Sequence, residues 1–344
     1  MVIFCLLCFS VDEVKAQVWQ WSASVPNVFS PETNDHLQAF LWIPPGCHQL
    51  KGVVLGQHNM LEEGILEHPD FRKTLAALDF GEIWVTPGLD LVFDFQQEAG
   101  AAFDSMIHGL ADSSGYHELD FIPVVPIVHS AAASFSWNFA AWNPSRALAV
   151  LSVHGDAPLT NKTGSGCPSP DWGCRTIDGI PGLMVMGEYK WREDRIMPAL
   201  TFVKAHPRAA ISFLAYAGHG HFDFSDALMN YLATFIRKAA EYRISKDSKP
   251  DSEGHIALKS VNPEEGYLME RWMQNHKERY ASGTYSHFGG DRQRAFWYFD
   301  RDMTERTQRY YKQAQGKKMQ YIGIAKNGQL FRGRKYNGAV ECPF

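Results

Sequence analysis

Short apolar runs rich in β-branched residues alternate with segments of helical periodicity between residues 36 and 240. The runs predict buried strands, and the segments whose apolar residues recur three or four positions apart predict helices. The predicted strands are 36–43, 52–55, 83–86, 121–128, 148–153, 182–186 and 211–216, and the predicted helices are 69–78, 96–110, 135–142 and 225–240. Strands that alternate with helices predict an α/β protein with a mainly parallel sheet and right-handed crossovers.

The rest of the chain has a different pattern. Residues 18–36 are polar and predict a loop, and residues 246–254 are charged and polar and predict a linker. Beyond the linker, residues 263–280 and 302–315 predict helices, and the runs 320–324 and 329–332 flank an Asn-Gly turn typical of a hairpin. A lone hairpin is not a domain. We therefore expect one domain over residues 18–244 and a C-terminal α+β extension of unknown role over residues 245–344.

The first seventeen residues resemble an export signal. Residues 2–9 form a short apolar run, and Val14-Lys15-Ala16 has the small residues of a cleavage site. No positive charge precedes the apolar run, which is atypical of such signals. Because of the apolar run and the cleavage-site pattern, we still expect the mature protein to be secreted or periplasmic. No run is long enough to predict a transmembrane helix.

Composition and charge narrow the class of protein only slightly. The chain has 344 residues, of which 45% are hydrophobic and 21% charged, and this is ordinary for a globular protein with a sizeable core. The net charge is −5 and no basic cluster stands out, so nucleic-acid binding is not expected. The sequence does not indicate an oligomeric state.

Four cysteines remain if the first seventeen residues are removed. An even number of cysteines in an exported chain fits disulfide bonds. Cys167 and Cys174 flank a turn-rich loop and are the predicted pair, whereas pairing of Cys47 with Cys342 stays open. The alternative is a zinc site, but two cysteines seven positions apart with no second pair nearby make a poor zinc signature.

Ser130 lies between a predicted strand and a predicted helix, in the run Pro-Ile-Val-His-Ser-Ala-Ala-Ala. A strand, a sharp turn with serine at its apex and a helix form the context of a nucleophile elbow. The turn needs small neighbours, and Ala131 and Ala132 meet that need. The usual pattern is Gly-x-Ser-x-Gly, and its glycine positions hold Val128 and Ala132 here. The alternative is that Ser130 merely ends a core strand.

The order of the segments after Ser130 supports the elbow. Three further predicted strands end in His154-Gly-Asp, in Gly-Glu188-Tyr and in a glycine-rich segment with His219 and His221. Serine, then acid, then histidine, each after a strand, is the chain order of the α/β-hydrolases. Over residues 35–240 the chain therefore resembles this superfamily, and especially secreted esterases grouped with polyhydroxybutyrate depolymerases and feruloyl or acetyl-xylan esterases. The resemblance implies an α/β-hydrolase fold, in which helices flank a mainly parallel central sheet.

The resemblance also implies a Ser-His-acid triad. A serine hydroxyl is a weak nucleophile that needs a histidine base, and the histidine needs an acid that fixes its tautomer. Ser130 is the expected nucleophile, His221 in the family's Gly-His-Phe pattern is the expected base, and Glu188 is the expected acid. The alternates are His219 for the base and Glu193 or Asp194 for the acid.

Two further groups of residues are assigned to the expected site. The oxyanion hole would combine the backbone N–H of Ala131 with that of Asn59 or Met60, in the loop after an early strand. Long ordered loops are often functional, and the loop over residues 156–179 is a candidate substrate wall. The expected substrate-lining side chains are His58, His129, Trp137 and Trp191.

These residues predict an exported serine esterase that acts on a small-molecule or polysaccharide ester, with carbohydrate-linked or polyester-type substrates favoured by the resemblance. Neither a cofactor nor a metal is expected in such a site. One alternative is a metallohydrolase, because His219, His221 and Asp223 have the spacing of metal ligands, with His154 and Asp156 as further candidate ligands. The other is a non-catalytic, hydrolase-like binding module in which Val128 marks decay of the elbow.

Overall fold

The computed structural model describes residues 19–30, 34–160, 162, 168–189, 191–223, 225–245, 250–251, 254–273, 278–312, 323–326 and 329–332. Its main sheet has eight strands: β1 (Trp21–Ser30), β2 (Asp35–Trp42), β3 (Gly52–Gln57), β4 (Phe80–Thr86), β5 (Val124–His129), β6 (Val150–Val153), β7 (Pro181–Gly187) and β8 (Ala210–Tyr216). The strand order is β1-β2-β4-β3-β5-β6-β7-β8. Strands β1 and β2 pair antiparallel, and the strands from β4 to β8 pair parallel.

Every residue of β3, β5, β6, β7 and β8 is buried. Successive side chains of a strand point to opposite faces, so both faces of the sheet must be covered. The covering helices are α1 (Glu62–Leu66), α2 (Pro69–Ala76), α3 (Ala99–Ser114), α4 (Ala133–Trp142), α5 (Glu193–Ala205) and α6 (Asp226–Arg243). This architecture confirms the predicted α/β-hydrolase fold and its mainly parallel sheet flanked by helices.

The helices follow from local sequence signals. Pro69 occupies the first position of α2, where its missing N–H costs nothing. Ser225 caps α6, because its Oγ accepts a hydrogen bond at 3.3 Å from the backbone N–H of Leu228. Gly115 ends α3 with φ of 79°, a left-handed conformation that favours glycine.

The predicted loop over residues 18–36 is wrong, because residues 21–30 form β1 at the edge of the sheet. The pairing of β1 with β2 shifts register between Val25 and Phe29, across Pro26. Proline lacks the N–H that a ladder needs and is tolerated at edges and bulges. The polar, proline-containing sequence therefore belongs to an edge strand rather than a loop.

The C-terminal region forms a second, three-stranded sheet followed by a helix. Its strands are β9 (Tyr267–Glu270), β10 (Gly283–Thr284) and β11 (Ala295–Tyr298), in the order β10-β9-β11, and α7 (Arg301–Lys312) follows. The helix predicted over residues 263–280 is therefore wrong, since residues 267–270 pair as a strand between two partners distant in sequence. The predicted helix from residue 302 is confirmed in its described part.

This region covers the open edge of the main sheet at β8. The hydroxyl of Tyr298 donates to the carbonyl of Phe213 at 2.6 Å, and that of Tyr311 accepts from the N–H of Ala215 at 3.0 Å. The hydroxyl of Ser212 donates to the carbonyl of Trp297 at 2.5 Å. An exposed edge strand is a template for unwanted pairing, so these side chains block β8 from pairing with another chain.

Strands β12 (Gly323–Lys326) and β13 (Gln329–Arg332) pair antiparallel, as predicted for the hairpin. The predicted signal over residues 1–17 and most of the predicted linker lie outside the described residues. No helix in the described ranges is both long enough and apolar enough to cross a membrane.

The predicted disulfide receives no support from the structure. Cys174 is an exposed free thiol, and its predicted partner Cys167 lies outside the described residues. Cys47 is a buried free thiol whose Sγ contacts the carbonyl of Gln49 at 3.3 Å, and burial raises its pKa. Cys342 also lies outside the described residues.

Candidate active site

Ser130 follows β5 directly and has φ of 51°. A short 3-10 helix, Ser130–Ala132, joins it to α4. Positive φ is uncommon for any residue other than glycine, and strained residues of this kind cluster at functional sites. The chain therefore makes a strand, a strained turn and a helix, with the serine at the apex of the turn.

Gly155 allows the helix after the serine turn to pack closely against the end of β6. A Cβ added at Gly155, just after β6, would lie 1.8 Å from the Cβ of Ala133 at the start of α4. The start of α4 thus packs against the bare backbone of the neighbouring strand. The position of α4 directly after the serine turn therefore depends on a glycine at position 155.

His221 lies beside the serine, and its Nε2 is 2.7 Å from the Oγ of Ser130. The loop that carries His221 leaves β8 through Gly218, whose φ is 76°. A Cβ at Gly187 would lie 2.8 Å from the carbonyl oxygen of Gly220, so this loop also depends on a glycine of β7. The histidine is therefore held at the serine by a tightly packed turn.

Glu188 follows β7 and is 7% exposed, so its carboxyl is buried rather than at the surface. Its Oε2 accepts a hydrogen bond at 2.5 Å from the N–H of Gly218, three residues before the histidine. Its own N–H donates to the carbonyl of Tyr216 at 3.1 Å. The carboxylate therefore binds the loop that carries His221.

The alternate residues have other partners. Glu193 pairs with Arg271, and Asp194 accepts two hydrogen bonds from Arg192 at 2.9 and 2.8 Å. Those bonds lower the pKa of Asp194 to about 2. The ring of His219 stacks on Tyr216 with centroids 3.9 Å apart, which fits a supporting role rather than contact with Ser130.

The loop after β3 carries the candidate oxyanion donors. The N–H of Met60 donates to Oε2 of Glu62 at 2.8 Å, so it is committed to another acceptor. The N–H of Asn59 has no partner among the described residues, and its side chain donates to the carbonyl of His129. Ala131 lies in the first turn after Ser130, where a helical N–H has no intrahelical acceptor. Asn59 and Ala131 thus remain the available pair.

Glu62 anchors this loop, and the sequence analysis did not identify it. Its Oε2 also accepts from the N–H of Leu61 at 2.9 Å, and its Oε1 accepts from the N–H of His129 at 2.6 Å. Burial raises its pKa, although the backbone donors oppose that shift. An acidic side chain is stabilised near the N–H groups at the start of a helix. The position of Glu62 in the first turn of α1 was the only signal in the sequence for this role.

His129 is fully buried and does not line the substrate surface as predicted. Its Nε2 donates to the backbone carbonyl of His221 at 2.9 Å. His154 is also buried, has φ of 53°, and its Nδ1 accepts from the N–H of Gly187 at 3.1 Å. The ring centroids of these three histidines are 4.9 to 5.4 Å apart.

Burial lowers the pKa of His129 to about 4 and that of His154 well below its usual value. Both rings are therefore neutral near pH 7. They form a packed support behind His221 that carries no charge of its own.

The other three residues predicted to line the substrate site lie in different environments, one in the core, one against the C-terminal region and one at the surface. Trp137 is a core residue, because it is 1% exposed and its Nε1 donates to the carbonyl of Asp156 at 2.8 Å. Trp191 packs edge-on against Trp272 of the C-terminal region at 5.0 Å. His58 is exposed beside Trp84 and so is accessible.

The predicted metal ligands do not converge. His219 stacks on Tyr216 while His221 contacts Ser130, and Asp223 lies 3.8 Å from Nδ1 of His219. Among the described residues, no group of three or more histidine, cysteine or acidic side chains is arranged to hold a metal ion.

Comparisons with solved structures found distant likenesses. A truncated carbohydrate esterase from gut microbiota is 13% identical, with a TM-score of 0.43 over 65% of this chain and 98% of its own. An esterase from Pyrobaculum calidifontis is 14% identical, with a TM-score of 0.44 over 64% and 85%. Est1E from Butyrivibrio proteoclasticus is 13% identical, with a TM-score of 0.40 over 60% and 95%.

No family model matches the chain, and no curated protein does. The structural likenesses are too distant to carry an argument about chemistry. The chain resembles the α/β-hydrolase superfamily in its sheet order and in its serine turn after β5.

Proposed function

We propose that this protein is a serine hydrolase that cleaves carboxylic esters through an acyl-enzyme. The observation that carries the proposal is the 2.7 Å separation between Oγ of Ser130, on a strained turn, and Nε2 of His221. A nucleophile within hydrogen-bond reach of a base, with the base held by a further group, is the signature of an activated hydroxyl. In this proposal, Glu188 is the acid that completes the triad.

The reaction follows from these positions. Oγ of Ser130 bonds to the ester carbonyl carbon while its proton passes to Nε2 of His221. The carbonyl oxygen becomes an oxyanion, and each N–H aimed at it is worth about 3 kcal/mol. Asn59 and Ala131 are the proposed donors. The intermediate collapses with loss of the alcohol, which takes the proton from His221, and water then releases the acid by the same steps in reverse.

The substrate class is the finer part of the proposal. Met60 is 57% exposed beside Asn59, and Phe222 is 53% exposed beside His221. Exposed apolar side chains next to the proposed oxyanion donor and next to the proposed base suit an apolar acyl or aryl group. This arrangement supports carbohydrate-linked aryl esters or polyester-type esters as substrates. Export of the protein is also proposed, on the pattern of residues 2–16 alone.

The test is hydrolysis of p-nitrophenyl acetate and methyl ferulate by the wild type and by Ser130→Ala, with and without a chelator. Activity that is lost with the serine and indifferent to the chelator is the expected result. Activity that survives in Ser130→Ala but is lost with the chelator would replace the proposal with a metallohydrolase. Inactivity on both esters, together with no fluorophosphonate labelling of Ser130, would favour a binding module.

A further inference from the structure

A cavity lies at the opposite end of the sheet from Ser130. Its volume is about 470 Å³, and it is bounded by the segments that precede β6 and β7 and by residues 255–260. The seven residues of β7 separate its two ends by about 20 Å at the usual rise per residue, so the cavity is remote from the candidate active site. The polar residues that line it are Ser145, Arg146, Asp178, Arg243, His255 and Ser260.

Arg243 brings a buried positive charge to this cavity. It is 3% exposed at the end of α6, where its Nε donates to the carbonyl of Lys259 and its Nη1 to those of Ala147 and Leu148. No carboxylate forms an ion pair with it among the described residues. Burial lowers its pKa to about 10, which is the expected effect when no anion compensates the charge. Buried charges in proteins are normally paired.

Arg146 brings a second buried guanidinium. It is 9% exposed, its Nε donates to the carbonyl of Ile122 at 3.2 Å, and its Nη2 donates to that of Leu119 at 2.8 Å. Nη1 of Arg146 and Nη2 of Arg243 make no hydrogen bond to a described residue. Each arginine therefore has one amino group, with two N–H donors, that no described acceptor engages, and both arginines line the cavity.

We propose that this cavity binds a small oxyanion, a phosphate or a carboxylate, between Arg146 and Arg243. Guanidinium groups match the oxygens of both kinds of anion and form charge-assisted hydrogen bonds with them. Asp178 lines the same cavity and opposes an anion, and it pairs with neither arginine among the described residues. Asp104 and Asp120 act on the charge of Arg146, whereas no described carboxylate acts on that of Arg243, so the uncompensated positive charge is that of Arg243. A bound oxyanion would also tie residues 255–260 to the main domain.

The test measures the thermal unfolding midpoint during titration with inorganic phosphate and, separately, with succinate, each at an ionic strength held constant with sodium chloride. A ligand that binds only the folded state raises the midpoint with concentration. We expect a rise that exceeds the chloride control. A rise with phosphate alone, with succinate alone or with both supports the proposal and identifies the anion. No rise with either anion overturns it.

Two variants distinguish the cavity from general charge effects. Ala257→Phe fills the cavity from an exposed position and should abolish the rise. Asp178→Asn removes the opposing charge and should lower the anion concentration at half-effect at least threefold. Asp70→Asn, an equal charge change at an exposed position of α2, should leave that concentration unchanged. An unaltered rise in Ala257→Phe, or equal behaviour of Asp178→Asn and Asp70→Asn, overturns the proposal. If Ala257→Phe does not fold, the comparison of the two aspartate variants decides.

Discussion

His129→Leu should impair turnover although His129 is buried and outside reach of a substrate. The leucine removes the donor that Nε2 provides to the backbone carbonyl of His221 at 2.9 Å. An unsatisfied buried polar group costs about 1–3 kcal/mol, and a displacement of about 1 Å in a catalytic group can lower the rate about 100-fold. We therefore expect kcat to fall about 10- to 100-fold with little change in KM.

His129→Gln is the matched variant, because its side-chain amide can donate to the same carbonyl. It should recover kcat to within a few-fold of the wild type, as measured by steady-state hydrolysis of p-nitrophenyl acetate. A merely structural role for the ring would make both variants equally impaired. Wild-type kcat in His129→Leu, or equal losses in both variants, would refute the reasoning.

The same residue predicts a dependence of stability on pH. The pKa of His129 falls from 6.5 to about 4 on folding, so the unfolded chain takes up the proton first. The neutral ring of His129 therefore contributes to the free energy of unfolding. This contribution is complete above pH 6.5, is lost as the pH falls through about 4, and amounts to about 3 kcal/mol. In urea unfolding between pH 7 and pH 4, His129→Gln should therefore lose less stability than the wild type. The exposed substitution His117→Gln should not differ from the wild type in this respect.

Three further predictions concern the supports of the site. Glu62→Gln should lower the free energy of unfolding by about 2–4 kcal/mol, because the single amide oxygen cannot accept from all three backbone N–H groups that the carboxylate binds. It should also reduce kcat at least tenfold, and full activity in a folded variant would contradict the role of Glu62 in this loop. Gly155→Ala should disrupt the start of α4, because the new Cβ would lie 1.8 Å from the Cβ of Ala133. Circular dichroism should show a lower melting temperature than that of the wild type, and an unchanged melting temperature would contradict this packing. Glu188→Gln should reduce kcat about 100-fold or more while Asp194→Asn leaves it unchanged, and the reverse order would transfer the role of the acid.

The central strands were predictable because the apolar residues that indicate them lie within each strand's own short stretch of sequence. The residues of β5, β7 and β8 are mostly apolar, as a strand buried on both faces requires, with His129 and Ser212 as polar exceptions. Strand β1 was not predicted, because an edge strand tolerates polar residues and proline. Strand β9 was not predicted either, because residues 267–270 become a strand only through partners at residues 283–284 and 295–298.

The residues of the candidate site also divide into those that the sequence could predict and those that depend on contacts between distant parts of the chain. Ser130 and His221 were predictable because each follows a strand whose end lies at one edge of the sheet. The buried state of His129 and the role of Glu62 were not, since the contact between them joins residues 67 positions apart. Trp137 was misassigned because closeness in sequence to Ser130 does not reveal which face of α4 enters the core.

The most direct test of the central claim is to map the residue that carries the acyl group. The protein would be treated with a fluorophosphonate and with p-nitrophenyl acetate, and the modified peptides identified by mass spectrometry. We expect one equivalent of adduct on Ser130, none in Ser130→Ala, and strongly slowed labelling in His221→Ala. Labelling of another residue, or undiminished labelling in Ser130→Ala, would contradict the assignment of Ser130 as the nucleophile.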